Sequence, residues 1–277
     1  MNHPLILGHL TVLDQPPPAA IRIAHEVGFK KVGLRLQASR PEATGYSLQT
    51  NPTLFEDTVK TLRDTGIEVF DVDVCKIGPT TEIKSFEPFL ATAAKLGAKS
   101  ALVTCGDSER ARFEDQLGAY CDLAAKYGIT ADLEFMLFTP VVPTLSVALD
   151  VIASVNRANL GVMVDTIHFN RTGESLDDLR TVPRNRLNYI HFTDARRDKP
   201  DTMEGLIEDS RAHRMMPGDG GLDLPAIVQA LPDGLPLCVE ISNSVLDRTM
   251  PALERARLAF HKTQAVLDAA QKKGIKK

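Results

Sequence analysis

A single (β/α)8 barrel is the fold this sequence predicts, and three observations carry the prediction. Strand-like and helix-like segments alternate eight times through the 277 residues, mostly at roughly 30-residue intervals. The strand-like runs are dense in Val, Ile and Leu, as strands covered on both faces should be. No shift in composition marks a linker, and one barrel of about 250 residues accounts for a chain of this length. Strict alternation implies parallel strands, and eight such units close naturally on themselves. An open doubly wound sheet is the rival architecture. It fits less well, because no G-x-G-x-x-G or phosphate loop follows the first strand.

The strands read in order as LILGHL (5–10), KKVGLRL (30–36), IEVFDVDV (67–74), SALVT (100–104), ITADLEF (129–135), LGVMVDT (160–166), LNYIHF (187–192) and LPLCVEI (235–241). Helices fill the gaps. PPPAAIRIAHEVG (16–28) has prolines at its start and a glycine at its end, the expected polarity. NPTLFEDTVKTLRDTG (51–66) opens on Asn51 as a cap and again stops at glycine. FEPFLATAAKLG (86–97) and ERARFEDQLGAYCDLAAKYG (109–128) repeat the design. PTLSVALDVIASVN (143–156), a short SLDDLR segment, LDLPAIVQALP (222–232) and a final helix from about Arg248 to Lys272 follow. The chain is therefore one domain, 1–277, with a basic tail at 273–277.

Two connections are longer than usual: Gln37 to Thr50 after the second strand, and Asp194 to Gly221 after the seventh. Both follow strand C-termini and so rise on the face where barrels carry their chemistry. The second, 195–221, is read as an active-site loop acting as a lid over that face.

Composition excludes several classes. A net charge of −4 offers no electrostatic case for nucleic acid. The longest uncharged stretch, Phe135 to Leu149, contains Pro140 and Pro143 and is short of a membrane span. The start has no positive n-region, and its apolar run is interrupted by His9. Cys75, Cys105, Cys121 and Cys238 form no C-x-x-C pair and read as buried, reduced thiols. A cytoplasmic protein with neither nucleic-acid nor membrane partners is expected. A homo-oligomer is compatible with the sequence.

Four residues stand where strands emerge from the core: Glu134, Asp165, His191 and Glu240, closing strands five to eight. Singly each has a plain structural explanation. Glu134 could be a paired acid, Asp165 a helix cap, His191 a hydrogen-bonded core histidine. Together, three carboxylates and an imidazole converging on one barrel mouth would repel or go unsatisfied without a cation. Oxygen and imidazole donors suit one divalent ion such as Mn²⁺, Zn²⁺, Co²⁺ or Mg²⁺.

The motifs LEF at Glu134, VDTIH from Val164 to His168, IHFTDARR from Ile190 to Arg197, PGDGGLDL from Pro217 to Leu224 and VEIS from Val239 to Ser242 give a specific resemblance. The chain resembles the xylose-isomerase-like TIM-barrel superfamily, in its sugar phosphate isomerase/epimerase branch. The motifs span the second half; the first half matches in architecture. The resemblance implies one divalent metal, usually Mn²⁺, held by Glu134, Asp165, His191 and Glu240. It also implies that Glu134 and Glu240 are the acid/base pair, removing and returning a proton beside a substrate carbonyl through a metal-stabilised enediolate. His168 resembles the family's substrate-contacting histidine, and Arg197 a substrate-oxygen-binding arginine with Arg196 as its rival. Asp194 is a candidate to orient His191, and His213 and Asp219 could approach the mouth. His9, ending strand one, is a candidate to line the substrate pocket. Asp73, Lys76 and Asp107 lie near strand ends with no motif to fix their roles.

One departure matters. Phe-Met-Leu-Phe-Thr-Pro follows Glu134 where sugar epimerases present more polar residues, so Phe135, Met136 and Phe138 either line a pocket for a ring-shaped, less polar substrate or pack beneath the loop. The expected activity is isomerisation or epimerisation of a ketose-like or hydroxy-ketone substrate. A lyase or dehydratase acting on a keto-cyclitol, dehydroshikimate-like or keto-glycoside substrate shares the opening proton abstraction and is the alternative. A DNA-repair (AP) endonuclease is remoter, since VGLRLQAS and VFDVDVCK lack the extra histidines of a three-zinc cluster. A non-catalytic binding barrel would have no need of two facing glutamates.

Overall fold

The computed structural model describes residues 3–40 and 42–274. Its eight strands are all parallel and close into a barrel in sequence order. They are β1 Leu5–Leu7, β2 Lys31–Arg35, β3 Glu68–Ile77, β4 Ser100–Cys105, β5 Thr130–Glu134, β6 Leu160–Asp165, β7 Leu187–Phe192 and β8 Leu237–Val239. The helices are α1 Pro17–Val27, α2 Pro52–Thr65, α3 Glu87–Lys95, α4 Arg110–Ala125, α5 Leu145–Val155 and α6 Thr166–Thr172. They continue as α7 Leu176–Thr181, α8 Met203–Ala212, α9 Leu224–Ala230, α10 Leu246–Thr249 and α11 Ala252–Gly274. The end of the expected tail, residues 275–277, lies outside the described residues.

Most helices begin where side chains satisfy free backbone N–H groups. Asn51, Glu109, Thr144, Ser175, Thr202 and Asp223 all accept hydrogen bonds from the first turn that follows. Apolar residues on the outer faces of the strands, such as Val32, Leu34, Val103, Leu133 and Val162, meet the helices in one continuous core. A small second cluster, Ile6, Val74, Leu102, Met163, Tyr189 and Cys238, fills the barrel interior. All four cysteines are buried and unbridged. Among the described residues no helix is long and apolar enough to cross a membrane.

Three expectations are corrected. His9 does not end a strand: β1 stops at Leu7, and His9 begins a 3₁₀ turn, His9–Val12. The expected final helix is two, because Pro251 separates α10 from α11. The connection after β7 contains α8 and is tied down rather than loose. The buried Asp209 carboxylate of α8 pairs with Arg171 of α6 at 2.7 Å and with Arg196 at 3.0 Å. Asp194 then accepts four backbone N–H bonds, from Ala195, Gly218, Gly220 and Leu222, and so fixes the PGDGG turn. A Cβ at Gly220 would lie 2.3 Å from both Ala195 O and Asp194 Oδ1, so only glycine fits there.

Removing one partner of a buried ion pair strands the other. Asp209→Ala is therefore expected to lower stability by about 3–5 kcal/mol. Denaturant unfolding against wild type measures this, and a loss below about 1 kcal/mol would show that Arg171 finds another partner.

Candidate active site

The four strand-end residues meet at one mouth. Asp165 and His191 are directly paired in register across β6 and β7, and Glu240 follows β8 immediately. His191 Nδ1 lies 3.1 Å from Glu240 Oε2 and 3.9 Å from Asp165 Oδ2. Glu134 reaches the group from β5, with Oε1 3.7 Å from His168 Nε2. Ligand atoms of Asp165, His191 and Glu240 lie within 4.8 Å of one another, as do those of Glu134, Asp165 and His168. Asp165 belongs to both sets. All five residues are buried.

Asp165 serves as cap and site residue at once, with different atoms. Oδ1 accepts the Ile167 N–H at 2.9 Å and starts α6, which leaves Oδ2 facing the other acids. That same turn carries His168 into the site.

These groups converge without satisfying one another. Both ring nitrogens of His191 are fully buried without a well-directed hydrogen bond, and Asp165 Oδ2, equally buried, has an ion pair but no well-directed hydrogen bond. Buried polar atoms are normally paired, and such a set of oxygen and imidazole donors fits a divalent cation. Glu134, Asp165, His191 and Glu240 are the residues that would hold it, with His168 adjacent.

One participant was not foreseen. Arg214, from the connection after β7, places Nη1 2.8 Å from Asp165 Oδ2 and 3.0 Å from Glu240 Oε2. Its Nε donates to Ser210 O, which aims the guanidinium inward. The antiparallel bridge of Met215 with Asp194 brings this segment back over the mouth. Arg197 was the expected arginine, but it is exposed and absent from the cavity lining. The PGDGG turn packs Gly221 closely against the Arg197 backbone.

Other candidates also fall elsewhere. His9 is buried, but Nδ1 accepts the Arg35 N–H and Nε2 meets Gln15 O, both at 2.9 Å, while the ring stacks on Tyr46. It braces the first two strands and does not line the pocket. Asp194 holds the PGDGG turn rather than His191. His213 pairs with Glu208, and Asp219 with Lys262. Phe135 packs in the core, whereas Met136 and Phe138 line the mouth, with Phe138 edge-on to His168 at 5.5 Å.

The cavity above these residues has a volume of about 570 Å³. Both long connections contribute to its rim, through Ser39, Arg40 and Thr44 on one side and Ile207, Ser210 and Arg211 on the other. The size suits a monosaccharide-sized or cyclitol-sized molecule with room for water.

Burial drives the Glu134 carboxyl up to about 8, with Asp165 and Glu240 adding to the rise. Burial opposes the charged form of Glu240 as well, yet His191 and Arg214 beside it hold its carboxyl well below the ordinary range. Burial likewise works against charge on His191, but Glu240 keeps the imidazole above its usual value. His168 is pushed down to about 4, chiefly by burial. Glu134 thus carries a proton at neutral pH before any cation arrives. Cation binding needs the Glu134 carboxylate and a neutral His191 imidazole, so uptake should release about two protons, and affinity should strengthen as pH rises through about 8. Calorimetry in buffers of differing ionisation enthalpy tests this; uptake without proton release would contradict it.

The sequence model of the Xylose isomerase-like TIM barrel matches residues 21–264. The chain belongs to that family. Within it, an inosose isomerase of Bacillus licheniformis is 29% identical over 160 residues, 54% of this chain and 55% of that protein. A 3-dehydroshikimate dehydratase of Pseudomonas aeruginosa is 27% identical over 138 residues, 49% of this chain and 21% of that protein. The matched region spans about half the length of such inosose isomerases. Among solved structures of this xylose isomerase-like fold, the IolI protein with a binding zinc atom superposes with a TM-score of 0.79. It is 20% identical, and the match covers 96% of this chain and 98% of that one.

Proposed function

We propose that the chain is a divalent-metal-dependent isomerase or epimerase of a hydroxy-ketone, moving a proton at the carbon beside the carbonyl. The observation that supports it best is the pair of buried glutamates, Glu134 and Glu240, reaching one cavity from opposite sides of Asp165 and His191. When bound, the cation would supply Lewis acidity at the substrate's carbonyl and hydroxyl oxygens and so acidify the adjacent C–H. One glutamate removes that proton, and the other returns it to the opposite face of the enediolate. Arg214 and His168 stand beside these carboxylates and orient substrate oxygens. Met136 and Phe138 give one wall an apolar surface that excludes water from the reacting carbon. Relatives that include inosose isomerases favour a cyclic polyhydroxy-ketone as substrate.

Mn²⁺ is the cation we assign, because three carboxylates and one imidazole make a predominantly oxygen donor set. The zinc of the structural neighbour belongs to that protein. A cytoplasmic setting, a small-molecule partner and no nucleic-acid or membrane partner complete the proposal.

A lyase is the second reading, favoured by the dehydratase among the relatives. It uses the same first step, with loss of a β-hydroxyl in place of reprotonation. Incubating metal-loaded protein in D₂O with ketoses, inososes and 3-dehydroshikimate separates the two. Isomerisation is expected to yield an isomer carrying deuterium beside the carbonyl. An ultraviolet-absorbing enone, or its aromatised product, would replace the isomerase with the lyase. Neither product from any of these compounds would overturn the proposed function.

A further inference from the structure

The charges lining the cavity do not balance evenly. Arg35 is paired with Asp73 at 2.5 Å, and Arg40 with Glu42 at 2.6 Å. Arg214 lies between Asp165 and Glu240. With one divalent cation present, that cation and Arg214 together match the three carboxylates of Glu134, Asp165 and Glu240. Two lining cations are then left over, Lys76 and Arg211. Both are exposed, and among the described residues neither forms an ion pair, although Glu42 lies near enough to Arg211 to favour its charge.

Lys76 is placed to reach a substrate. It stands near the end of β3, in register with Thr104 of β4, which is in turn in register with Glu134 of β5. Neighbouring strands are about 4.8 Å apart, so the Lys76 backbone is about 10 Å from that of Glu134. That is the reach of a six-carbon substrate bearing one substituent. The lysine stem lies over Gly106, where an added Cβ would come within 2.6 Å of Lys76 Cε. Gly106 thus leaves the groove the stem occupies. Across the mouth, Arg211 rests over the Phe138 ring at 5.8 Å, and burial together with nearby Arg40 makes its charge harder to hold, against a smaller favourable pull from Glu42. An anion there would relieve both.

We infer that the substrate carries an anionic group, a carboxylate or a phosphate ester, which pairs with Lys76 while Arg211 adds a second positive charge at the mouth. This rests on the proposed reading of the cavity as the site of a hydroxy-ketone reaction, and it narrows the substrate to an acidic one. Lys76 is the specificity-determining contact. The excess positive charge also draws such a substrate toward the cavity from solution.

The test is calorimetric binding to the metal-loaded full chain, with three probes: a neutral inosose, 3-dehydroshikimate as the carboxylate and fructose 6-phosphate as the phosphate ester. Wild type is expected to bind at least one charged probe more tightly than the inosose, and which one identifies the anion. Lys76→Met should weaken that probe by about 10- to 100-fold and leave the inosose unchanged, and Lys76→Arg should recover most of the loss. Gly106→Ala, which displaces the lysine stem, should weaken the same probe. Equal wild-type affinity for charged and neutral probes, or unchanged affinity in Lys76→Met, overturns the inference. Binding that depends on Lys76 without turnover of any probe would uphold the anion subsite and count against the proposed reaction. Turnover of the inosose with no effect of Lys76→Met would do the reverse.

Discussion

Glu240→Gln is expected to cut turnover by about 10²–10⁴ while leaving the barrel folded. Glutamine keeps the shape of the side chain, so the packing of β8 against its neighbours survives. It removes the charge that faces His191 Nδ1 at 3.1 Å and Arg214 Nη1 at 3.0 Å, and it removes the ability to take or return a proton. Glu134→Gln should do the same from the other side of the cavity. The two variants should differ in one respect: only the half-reaction in which the missing carboxylate acts as base should lose solvent exchange of the substrate proton. Deuterium wash-in at the carbon beside the carbonyl separates them. Full activity in Glu240→Gln, with cation still bound, would remove the assigned mechanism.

Asp165→Asn is expected to weaken cation binding most. The asparagine amide oxygen can still accept the Ile167 N–H and start α6, as Asp165 Oδ1 does at 2.9 Å. The other atom becomes an amide nitrogen pointing at Arg214, where a carboxylate oxygen stood 2.8 Å away. A like-polarity contact replaces attraction at the centre shared by both donor sets. The loss should exceed the about 10- to 100-fold typical of groups standing behind metal ligands. Thermal unfolding reads this directly, because saturating cation at about 100 times its dissociation constant stabilises the native chain by about 2.7 kcal/mol. Wild type should show that gain on adding Mn²⁺, and Asp165→Asn should not. An equal gain in both would place the cation elsewhere.

Much of the barrel was legible because its signals are local. Val-, Ile- and Leu-rich runs, glycine stops and Asn51-type caps lie within a few residues of what they specify. β7 was read at its observed bounds, and most other strands to within a residue or two. The hidden elements are those whose burial is polar or brief. α8 reads as a charged loop because its buried residues are Leu206, Asp209 and Ser210, and the decisive contact of Asp209 is with an arginine thirty-eight positions earlier in the chain. α6 is a single capped run of seven residues, too short for an apolar period to show.

The four converging donors were legible for a related reason, since each stands at or just past the end of its own strand. Arg214 was not. It lies beyond the next helix, and only the Asp194–Met215 bridge and the bond to Ser210 O aim it at the acids. A cation among three buried carboxylates is an electrostatic requirement, and the charged connection was the place to seek it. Proximity to His191 favoured Arg197 instead. His9 misled because LILGHL looks like one strand, whereas the chain turns after Leu7 once Gly8 N–H has bonded to Val239 O at 3.0 Å.

A single cation held by Glu134, Asp165, His191 and Glu240 underlies every step proposed for this site. Elemental analysis of gently purified protein, scaled to protein concentration and repeated on Asp165→Asn, tests it most directly. About one divalent ion per wild-type chain and little in the variant are expected. No bound ion in wild type, with none taken up on adding Mn²⁺, Co²⁺ or Zn²⁺, would contradict it.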